Sequence, residues 1–311
     1  MEHYRLSLNR GRRPSFDEAP VACRRRAFGV DYLRIRGMQG GELYFTRTGW
    51  AIAPSLLPRV WFDNERFRRV GKALHKATGS VYLVPVPHPA RGRTGVVVKF
   101  CRFAQDVGCT RIESGLLPPE AAERVGAAEF AGPFEEFGLV ARLRAYRGSR
   151  GVRFRTMMPL AIYCPPTHYA PWQLGRDQSR YWRYDYALDA GQEAMPAGRR
   201  IVHHWDRIYV LLYQWIEGVD LEEAGVNNLM PVEDVSAFTL QVSRDLLAAG
   251  YAVLDHKARH IIVRPDLETG RLIRHGGRIV HALIDYELLV PVTRMAPAGA
   301  GNAVDANGGS G

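Results

Sequence analysis

The chain of 311 residues is long enough for one large domain or two ordinary ones, and its 46% hydrophobic and 24% charged residues exclude a disordered chain. No run of about 18 apolar residues occurs, so the pattern excludes a membrane-spanning helix. A formal net charge of +10 at pH 7 indicates an anionic partner such as a nucleotide or a phosphorylated metabolite. Clustered arginines without a recognised motif make nucleic acid the less favoured partner.

Cysteine usage and the N-terminus predict a cytoplasmic protein. The cysteines form no CxxC pair, which argues against a disulfide scaffold or a four-cysteine zinc site. The polar, basic residues 1–13 lack the apolar segment of a secretory signal. The four cysteines are Cys23, Cys101, Cys109 and Cys164.

The first hundred residues contain short strand-like segments. Residues 1–64 are predicted to be an N-terminal extension packed on the rest of the chain, with strand-like pieces at Glu42–Thr46 and Trp50–Ala53. Next come two predicted strands joined by a short turn and then a third strand rich in β-branched residues. These three strands are Phe67–Leu74, Gly79–Val86 and Gly95–Phe100.

A helix and two more strands are predicted in the middle of the chain. The helix Pro133–Ala145 begins with proline and carries apolar residues on one face. Met157–Tyr163 and Arg207–Tyr213 are apolar strands. Between them lies an aromatic insert, residues 167–200. We expect its aromatic side chains to pack the insert onto its own domain, with base stacking as the alternative. His203-His204 is predicted to be a surface pair.

The second half begins after a break at Glu217-Gly218. A helix is predicted over Val232–Ala249, ended by Gly250. Strands, a polar turn over residues 255–260 and a hairpin follow, and residues 296–311 are predicted to be a disordered tail. The predicted strands are Tyr251–Leu254 and Ile261–Arg264, with the hairpin returning through Gly276-Gly277 to Arg278–Ile284.

Three charged residues stand in apolar strand contexts, where a charge is costly unless it is used. They are Lys99, Asp255 and Asp285. Each alone is typical of a solvent-facing lysine or of an aspartate capping a turn. Their order and spacing, however, match one known pattern.

Between about residues 65 and 290 the sequence resembles the protein kinase-like fold. Six landmarks in the right order carry the resemblance. They are Val70–Leu83 as first strand, phosphate loop and second strand, Val97–Lys99 as the third-strand lysine motif, Glu136 as the helix-C glutamate, Leu211–Leu221 as fifth strand and hinge, Val253–Val263 as catalytic loop, and Leu283–Glu287 at the Asp-Phe-Gly metal motif.

The resemblance implies an α+β fold with two lobes. Residues 65–216, with the insert, would form a small antiparallel-sheet N-lobe. Residues 217–295 would form a reduced, mainly helical C-lobe. Few residues follow Asp285, which predicts a minimal core without the usual peptide-binding platform.

The resemblance also implies roles for individual residues in binding ATP with Mg²⁺ or Mn²⁺ and in phosphoryl transfer. Lys99 would bind the nucleotide phosphates and be held by Glu136, so we expect its ammonium within ion-pair distance of Glu136 or Asp285. Asp255 would accept the proton of a hydroxyl acceptor, and Lys257 would offset charge on the transferred group. The remaining assignments are Gly79 in the phosphate loop, the Gln214–Ile216 main chain at adenine, Asp220 at the ribose, and Asp285 with His260 at the metal ion.

Several positions depart from the kinase pattern. Gly79 is the only phosphate-loop glycine, because His75 and Ala77 stand where glycines allow close backbone approach. His260 replaces the usual asparagine, and its nitrogen favours Mn²⁺ or Zn²⁺ over Mg²⁺. Tyr286-Glu287 replaces Phe-Gly, and Glu287 supplies a further carboxylate.

Three hypotheses for function stay open on the sequence. The first is an ATP-dependent phosphotransferase acting on a small-molecule hydroxyl or on one dedicated protein partner. The second is a pseudokinase that serves as a binding or scaffold module. The third is a metal-dependent enzyme of another class that uses His256 and His260 with Asp255 or Asp285.

Overall fold

An eight-stranded antiparallel sheet dominates the structure, a computed structural model that describes residues 14–74, 81–108, 128–148, 152–192 and 195–292. Its strands are β1 (Arg24–Ala27), β2 (Val30–Arg36), β3 (Glu42–Phe45), β4 (Lys72–Ala73), β5 (Val81–His88), β6 (Gly92–Phe100), β7 (Pro159–Cys164) and β8 (Val210–Gln214). They lie in the order β1-β2-β3-β7-β8-β6-β5-β4.

Short helices surround this sheet and follow it. They are α1 (Arg47–Ala51), α2 (Pro58–Trp61), α3 (Arg66–Val70), α4 (Pro133–Ala145), α5 (Tyr181–Gly191), α6 (Leu221–Val226) and α7 (Val232–Ala248). Helix α4 has the predicted bounds, and the Glu135 carboxylate accepts a hydrogen bond from the Gly132 N–H at its start. No helix in the described ranges is both long and apolar enough to cross a membrane.

The sheet separates two apolar cores. Val97 of β6 packs with Phe134 and Phe137 of α4, whereas its neighbours Val96 and Val98 belong to the core that contains Trp61. Successive side chains of a strand point to opposite faces of a sheet. The alternation therefore places Lys99, two residues after Val97, on the face covered by α4.

The C-terminal part contains short strands beside α6 and α7. These strands form a three-stranded sheet in the order β14-β11-β9 and the pairs β10-β15 and β12-β13. They are β9 (Val219–Asp220), β10 (Tyr251–Val253), β11 (Ile261–Val263), β12 (Arg274–His275), β13 (Arg278–Ile279), β14 (His281–Leu283) and β15 (Leu289–Pro291).

The expected fold class, a small sheet with a mainly helical C-lobe, is wrong. The chain is a sheet-rich α+β protein with only a minor helical part. The main sheet is larger than expected because β1–β3, from residues assigned to an N-terminal extension, pair onto β7. Beyond α7 the chain forms strands because segments such as Ile261–Val263 are β-branched and buried.

Local predictions before residue 75 also need correction. The predicted strand Trp50–Ala53 is wrong, because Thr46 caps α1 by accepting a hydrogen bond from the Gly49 N–H at 3.1 Å. The predicted strand Phe67–Leu74 is instead α3 followed by the two-residue β4. The predicted disordered tail, residues 296–311, lies outside the described residues.

The aromatic insert packs onto the α4 face of the sheet through part of its side chains. The Tyr184 hydroxyl of α5 donates to the Phe130 carbonyl at 2.7 Å, and its ring lies 5.5 Å from that of Phe103. Trp172 and Trp182 remain exposed. Just beyond the insert, the predicted surface pair His203-His204 is wrong for His203, which is 6% exposed.

Candidate functional site

Lys99 lies at the centre of a buried ionic cluster. Its ammonium Nζ is 3.1 Å from Glu136 Oε1 and 3.1 Å from Asp285 Oδ1. Glu287 Oε2 is 3.7 Å from the same nitrogen. Lys99 is 5% exposed and Glu136 is fully buried, so solvent screens this pair little, whereas the Asp285 side chain is 32% exposed. The expected proximity of Lys99 to Glu136 or Asp285 is confirmed for both carboxylates.

Glu136 reaches this cluster from the first turn of α4. Its carboxylate accepts a hydrogen bond from the Tyr213 hydroxyl at 2.7 Å. Tyr213 lies on β8 directly opposite Val97 of β6, so it shares the face of Lys99. Helix and sheet together fix the glutamate and the lysine against each other.

Asp285 has an unusual backbone conformation for an aspartate. Its φ angle is +63°, in the left-handed region that glycine adopts most easily. The preceding residue, Ile284, is held by an N–H bond to the His260 carbonyl at 2.9 Å. The following residue, Tyr286, accepts the Met157 N–H on its hydroxyl at 2.7 Å. Such strain costs about 1–3 kcal/mol and is concentrated at functional sites.

The charges of the cluster perturb one another. Burial alone would lower the pKa of Lys99, but Glu136, Asp285 and Glu287 together raise it well above the usual value. Burial raises the pKa of Glu136 above its ordinary value, although Lys99 and the hydroxyl of Tyr213 oppose this. For Asp285, the charge of Lys99 outweighs burial and lowers the pKa. The lysine and aspartate are therefore charged at neutral pH.

Arg102 was not predicted from the sequence, yet it is the second cation of the cluster. It pairs with Glu287, and its guanidinium also lies 4.2 Å from the centre of the Phe130 ring. Its position three residues after Lys99 is the one signal that was available. The cluster thus contains three carboxylates, Glu136, Asp285 and Glu287, and two cations.

The residues assigned to a metal ion lie side by side. His260 Nε2 is 3.7 Å from Asp285 Oδ2, which is too long for a hydrogen bond. It is short enough for one ion to contact both atoms, given metal–ligand distances of about 2.1 Å. Burial lowers the pKa of His260, so its ring is neutral and has a lone pair for a metal.

These two side chains are a sparse ligand set. Among the described residues, no group of three or more His, Cys, Asp or Glu is arranged to hold a metal ion. Two ligands do not enclose a metal ion, so an ion between Asp285 and His260 would need its other ligands from water or from phosphate oxygens.

The two residues predicted to act on the acceptor form an ion pair of their own. Lys257 Nζ contacts Asp255 Oδ1. Both charges act on the ring of His260, which also faces Asp285. His256, named in the alternative metal hypothesis, is 3% exposed, and neither of its ring nitrogens makes a well-formed hydrogen bond with a described residue. His260 thus connects the Lys99 cluster to the Asp255–Lys257 pair.

A cleft of about 780 Å³ lies on the same strands as part of the cluster, but neither Lys99, Asp285 nor His260 lines it. Gln214 and Ile216 of the predicted hinge line it, together with Gly95 of β6 and Ala282 of β14. Lys99 follows Gly95 by four residues, so it lies about 13 Å farther along the strand. Five cations and one carboxylate, Glu217, also line the cleft. The cations are Lys72, Arg91, Arg93, Arg155 and Arg264.

The structure restricts the predicted adenine contacts. The Gln214 N–H donates to the Met158 carbonyl at 2.9 Å, and the Trp215 N–H donates to the Gly95 carbonyl at 3.1 Å. Both groups are therefore engaged within the protein. The Ile216 main chain remains for a base.

One predicted nucleotide contact is not brought to the cleft, and another lies outside the described residues. Asp220 caps α6, accepting a hydrogen bond from the Glu223 N–H at 2.8 Å, and it does not line the cleft. Gly79, with its neighbours His75 and Ala77, lies outside the described residues.

Comparison with protein-family models finds none that matches this chain, and comparison with curated proteins finds no matching relative.

Proposed function

We propose that this protein is an ATP-dependent phosphotransferase that moves a γ-phosphoryl group to a hydroxyl acceptor. The observation that carries the proposal is Lys99 Nζ, held at 3.1 Å from both Glu136 and Asp285. Kinases require a strand lysine paired with a helix glutamate and a metal-binding aspartate at the same place. Phosphoryl transfer depends mainly on positioning and charge neutralisation, which such a cluster supplies.

The cleft supports the nucleotide part of the proposal. Its apolar walls, which include Trp215 and Ile262, suit a flat base, and its cations suit an anion. The base would bind against the Ile216 main chain. The phosphates would extend along β6 toward Lys99, whose ammonium would bind their oxygens while Glu136 keeps it aimed.

The transfer step uses the second group of charges. Asp255 would orient the acceptor hydroxyl and take its proton as the new bond from acceptor oxygen to γ-phosphorus forms. The bond between that phosphorus and the β–γ bridging oxygen breaks, and ADP leaves. Lys257, which contacts Asp255, would offset charge on the moving group.

Asp285 and His260 would hold a divalent ion, which supplies positive charge at the phosphate oxygens. Asp285 has a further role of its own, since its carboxylate also contacts the Lys99 ammonium, at 3.1 Å.

Nucleotide binding is the first experiment. The melting temperature is measured with ATP and MgCl₂ or MnCl₂ for the wild type, for Asp285→Asn and for the control Asp31→Asn, whose exposed carboxylate on β2 pairs with Arg26. ATP should raise the melting temperature of the wild type and the control. Asp285→Asn should lose the share of this rise that depends on the divalent ion. No ATP effect with either ion in the wild type would refute the proposal.

A nucleotide-binding module without transfer is the second candidate. It is favoured by one contact, because the Lys257 ammonium occupies an oxygen of the carboxylate that would act as base. ADP release from ATP separates the two functions. Asp255→Asn should abolish release and keep ATP binding if the protein transfers phosphate. Equal, background-level release from both proteins favours the binding module.

A further inference from the structure

A second, smaller pocket lies on strands that the kinase resemblance does not cover. It has a volume of about 190 Å³. Its polar lining comes from β2, β3 and the segment after α5. These residues are Arg34, Arg36, Glu42, Tyr44, Arg200 and His204.

The register of β2 and β3 builds one wall of this pocket. Arg34 lies opposite Tyr44, and Arg36 lies opposite Glu42. Residues two apart share a face of a strand, so all four side chains emerge on the same side of the sheet. The residues between them, such as Leu43, belong to the apolar core on the other face. The polar cluster is therefore specified by the alternation of β2 and β3.

Positive charge exceeds negative charge around the pocket. Glu42, 3% exposed, is the one carboxylate of the lining, and it contacts Arg34, Arg36 at 3.1 Å and the His204 ring at 3.5 Å. Arg200 is the third guanidinium of the lining, and its nearest carboxylate among the described residues is the exposed Asp189 at 3.8 Å. One buried carboxylate cannot neutralise this set.

Arg25 adds a further buried cation behind the lining. It is 7% exposed, its Nη1 donates only to the carbonyls of Ala22 and Arg24, and it makes no ion pair among the described residues. Its pKa is lowered by burial and by the charge of Arg34. Its Nε and that of Arg34 are buried and have no hydrogen-bond partner within the described residues. Buried guanidinium groups without a counter-charge are costly.

We propose that this pocket binds a small tetrahedral dianion, namely phosphate or the phosphoryl group of a small metabolite. Guanidinium groups donate paired N–H bonds that match phosphate oxygens. The volume admits one such group and is far below that of a pocket for a whole nucleotide. A dianion would balance the excess of guanidinium groups over Glu42, which a planar monoanion such as acetate would do only in part.

The pocket is separate from the Lys99 cluster, and the proposal does not depend on the proposed function. The two sites lie on one face of the sheet in a single row across five strands, formed by Lys99, Leu211, Ile162, Tyr44 and Arg34. Four steps between strands separate their ends, a distance of about 19 Å. A phosphate group in one site therefore does not occupy the other.

Titration calorimetry of the full chain with inorganic phosphate at fixed ionic strength tests the proposal. We expect one equivalent to bind, and Arg36→Gln and Arg200→Gln each to weaken binding at least tenfold. Both side chains are partly exposed, so these variants should fold. The control Arg26→Gln removes an exposed arginine from the adjacent β1 and should bind like the wild type.

Two further arms make the test specific. Arg264→Gln, in the large cleft, should leave the phosphate affinity unchanged, and acetate should bind at least tenfold more weakly than phosphate. No phosphate binding by the wild type overturns the proposal. A loss of phosphate affinity caused by Arg264→Gln but not by Arg36→Gln also overturns it. Acetate binding as tight as phosphate binding does the same.

Discussion

Tyr213 donates its hydroxyl proton to Glu136 Oε1, the same oxygen that Lys99 approaches to 3.1 Å. A fully buried carboxylate is thereby held by one cation and one neutral donor from adjacent strands. Lys99 and the hydroxyl favour the ionised form of Glu136, although burial outweighs them and raises its pKa.

Removing that hydroxyl should therefore destabilise the protein. Tyr213→Phe keeps the ring and leaves Glu136 Oε1 with Lys99 alone, so we expect a loss of about 1–3 kcal/mol in the free energy of unfolding. Urea unfolding at pH 7 measures it. Tyr186→Phe, at a tyrosine exposed on α5, is the control and should change little. Equal stability of the two variants would show that the Tyr213 bond contributes nothing.

The contacts of the cluster predict that replacing Lys99 destabilises the protein more than replacing Asp285. Lys99→Met leaves three carboxylates near one another with only Arg102, so we expect a loss of about 3–5 kcal/mol in the free energy of unfolding. Asp285→Asn removes one carboxylate from Lys99 and leaves its pair with Glu136, so it should destabilise the protein less than Lys99→Met does. Denaturant unfolding of both variants decides the matter. If Asp285→Asn is the more damaging change, Glu136 is not the main counter-charge of Lys99.

The left-handed conformation of Asp285 predicts that function and stability oppose each other at this residue. Glycine adopts a φ of +63° at lower cost, so Asp285→Gly should raise the free energy of unfolding by about 1 kcal/mol relative to Asp285→Ala. Both variants lack the carboxylate and should lose ion-dependent ATP binding. Thermal unfolding of the pair checks the first expectation. Asp285→Ala as stable as Asp285→Gly would argue against a strained backbone.

Buried histidine predicts acid sensitivity. Burial lowers the pKa of His256 from 6.5 to about 3, so the unfolded chain binds a proton that the folded chain excludes. The stability linked to His256 is complete above pH 6.5 and is lost as pH falls toward 3, by about 1.4 kcal/mol for each pH unit. The slope of the unfolding free energy against pH reports the difference in bound protons between the unfolded and folded chains. His256→Leu should lower that difference by one proton between pH 4 and 6. His275→Gln, at an exposed histidine, should leave the slope unchanged.

The imidazole of His260 predicts a metal preference that follows from the proposed function. Nitrogen ligands favour Mn²⁺ over Mg²⁺, so wild-type protein should bind ATP more tightly with Mn²⁺. His260→Asn should shift the preference toward Mg²⁺. The ratio of ATP dissociation constants with the two ions measures the shift. The same ratio in both proteins would leave His260 with a structural role only.

Local patterns predicted some elements well. Helix α4 has the bounds expected from its proline and its apolar spacing, since both signals lie within the helix itself. The contacts of Lys99 with Glu136 and Asp285 followed from the order of the kinase landmarks. The error in fold class also came from that resemblance, because the helical C-lobe was inferred from it, whereas Ile261–Val263 alone indicates a strand.

Other features depend on long-range pairing and carry little local signal. The pairing of β3 with β7 joins residues more than a hundred positions apart, and the sequence of neither segment indicates which strand it pairs with. Tyr213 and Arg102 take their roles from cross-strand and loop contacts with Glu136 and Glu287. Single-sequence periodicity records which face a side chain occupies, but not what covers that face.

Continuity of the sheet across residue 64 makes a shortened chain hazardous. A chain that starts at residue 65 would lack β1–β3, and the backbone N–H and C=O groups of β7 that bind β3 would be unpaired along its length. Such a row is a template for pairing with another molecule. The same cut would uncover Phe134 of α4, whose ring now lies 5.0 Å from that of Tyr44. The segment that resembles a kinase should therefore self-associate when it is produced alone.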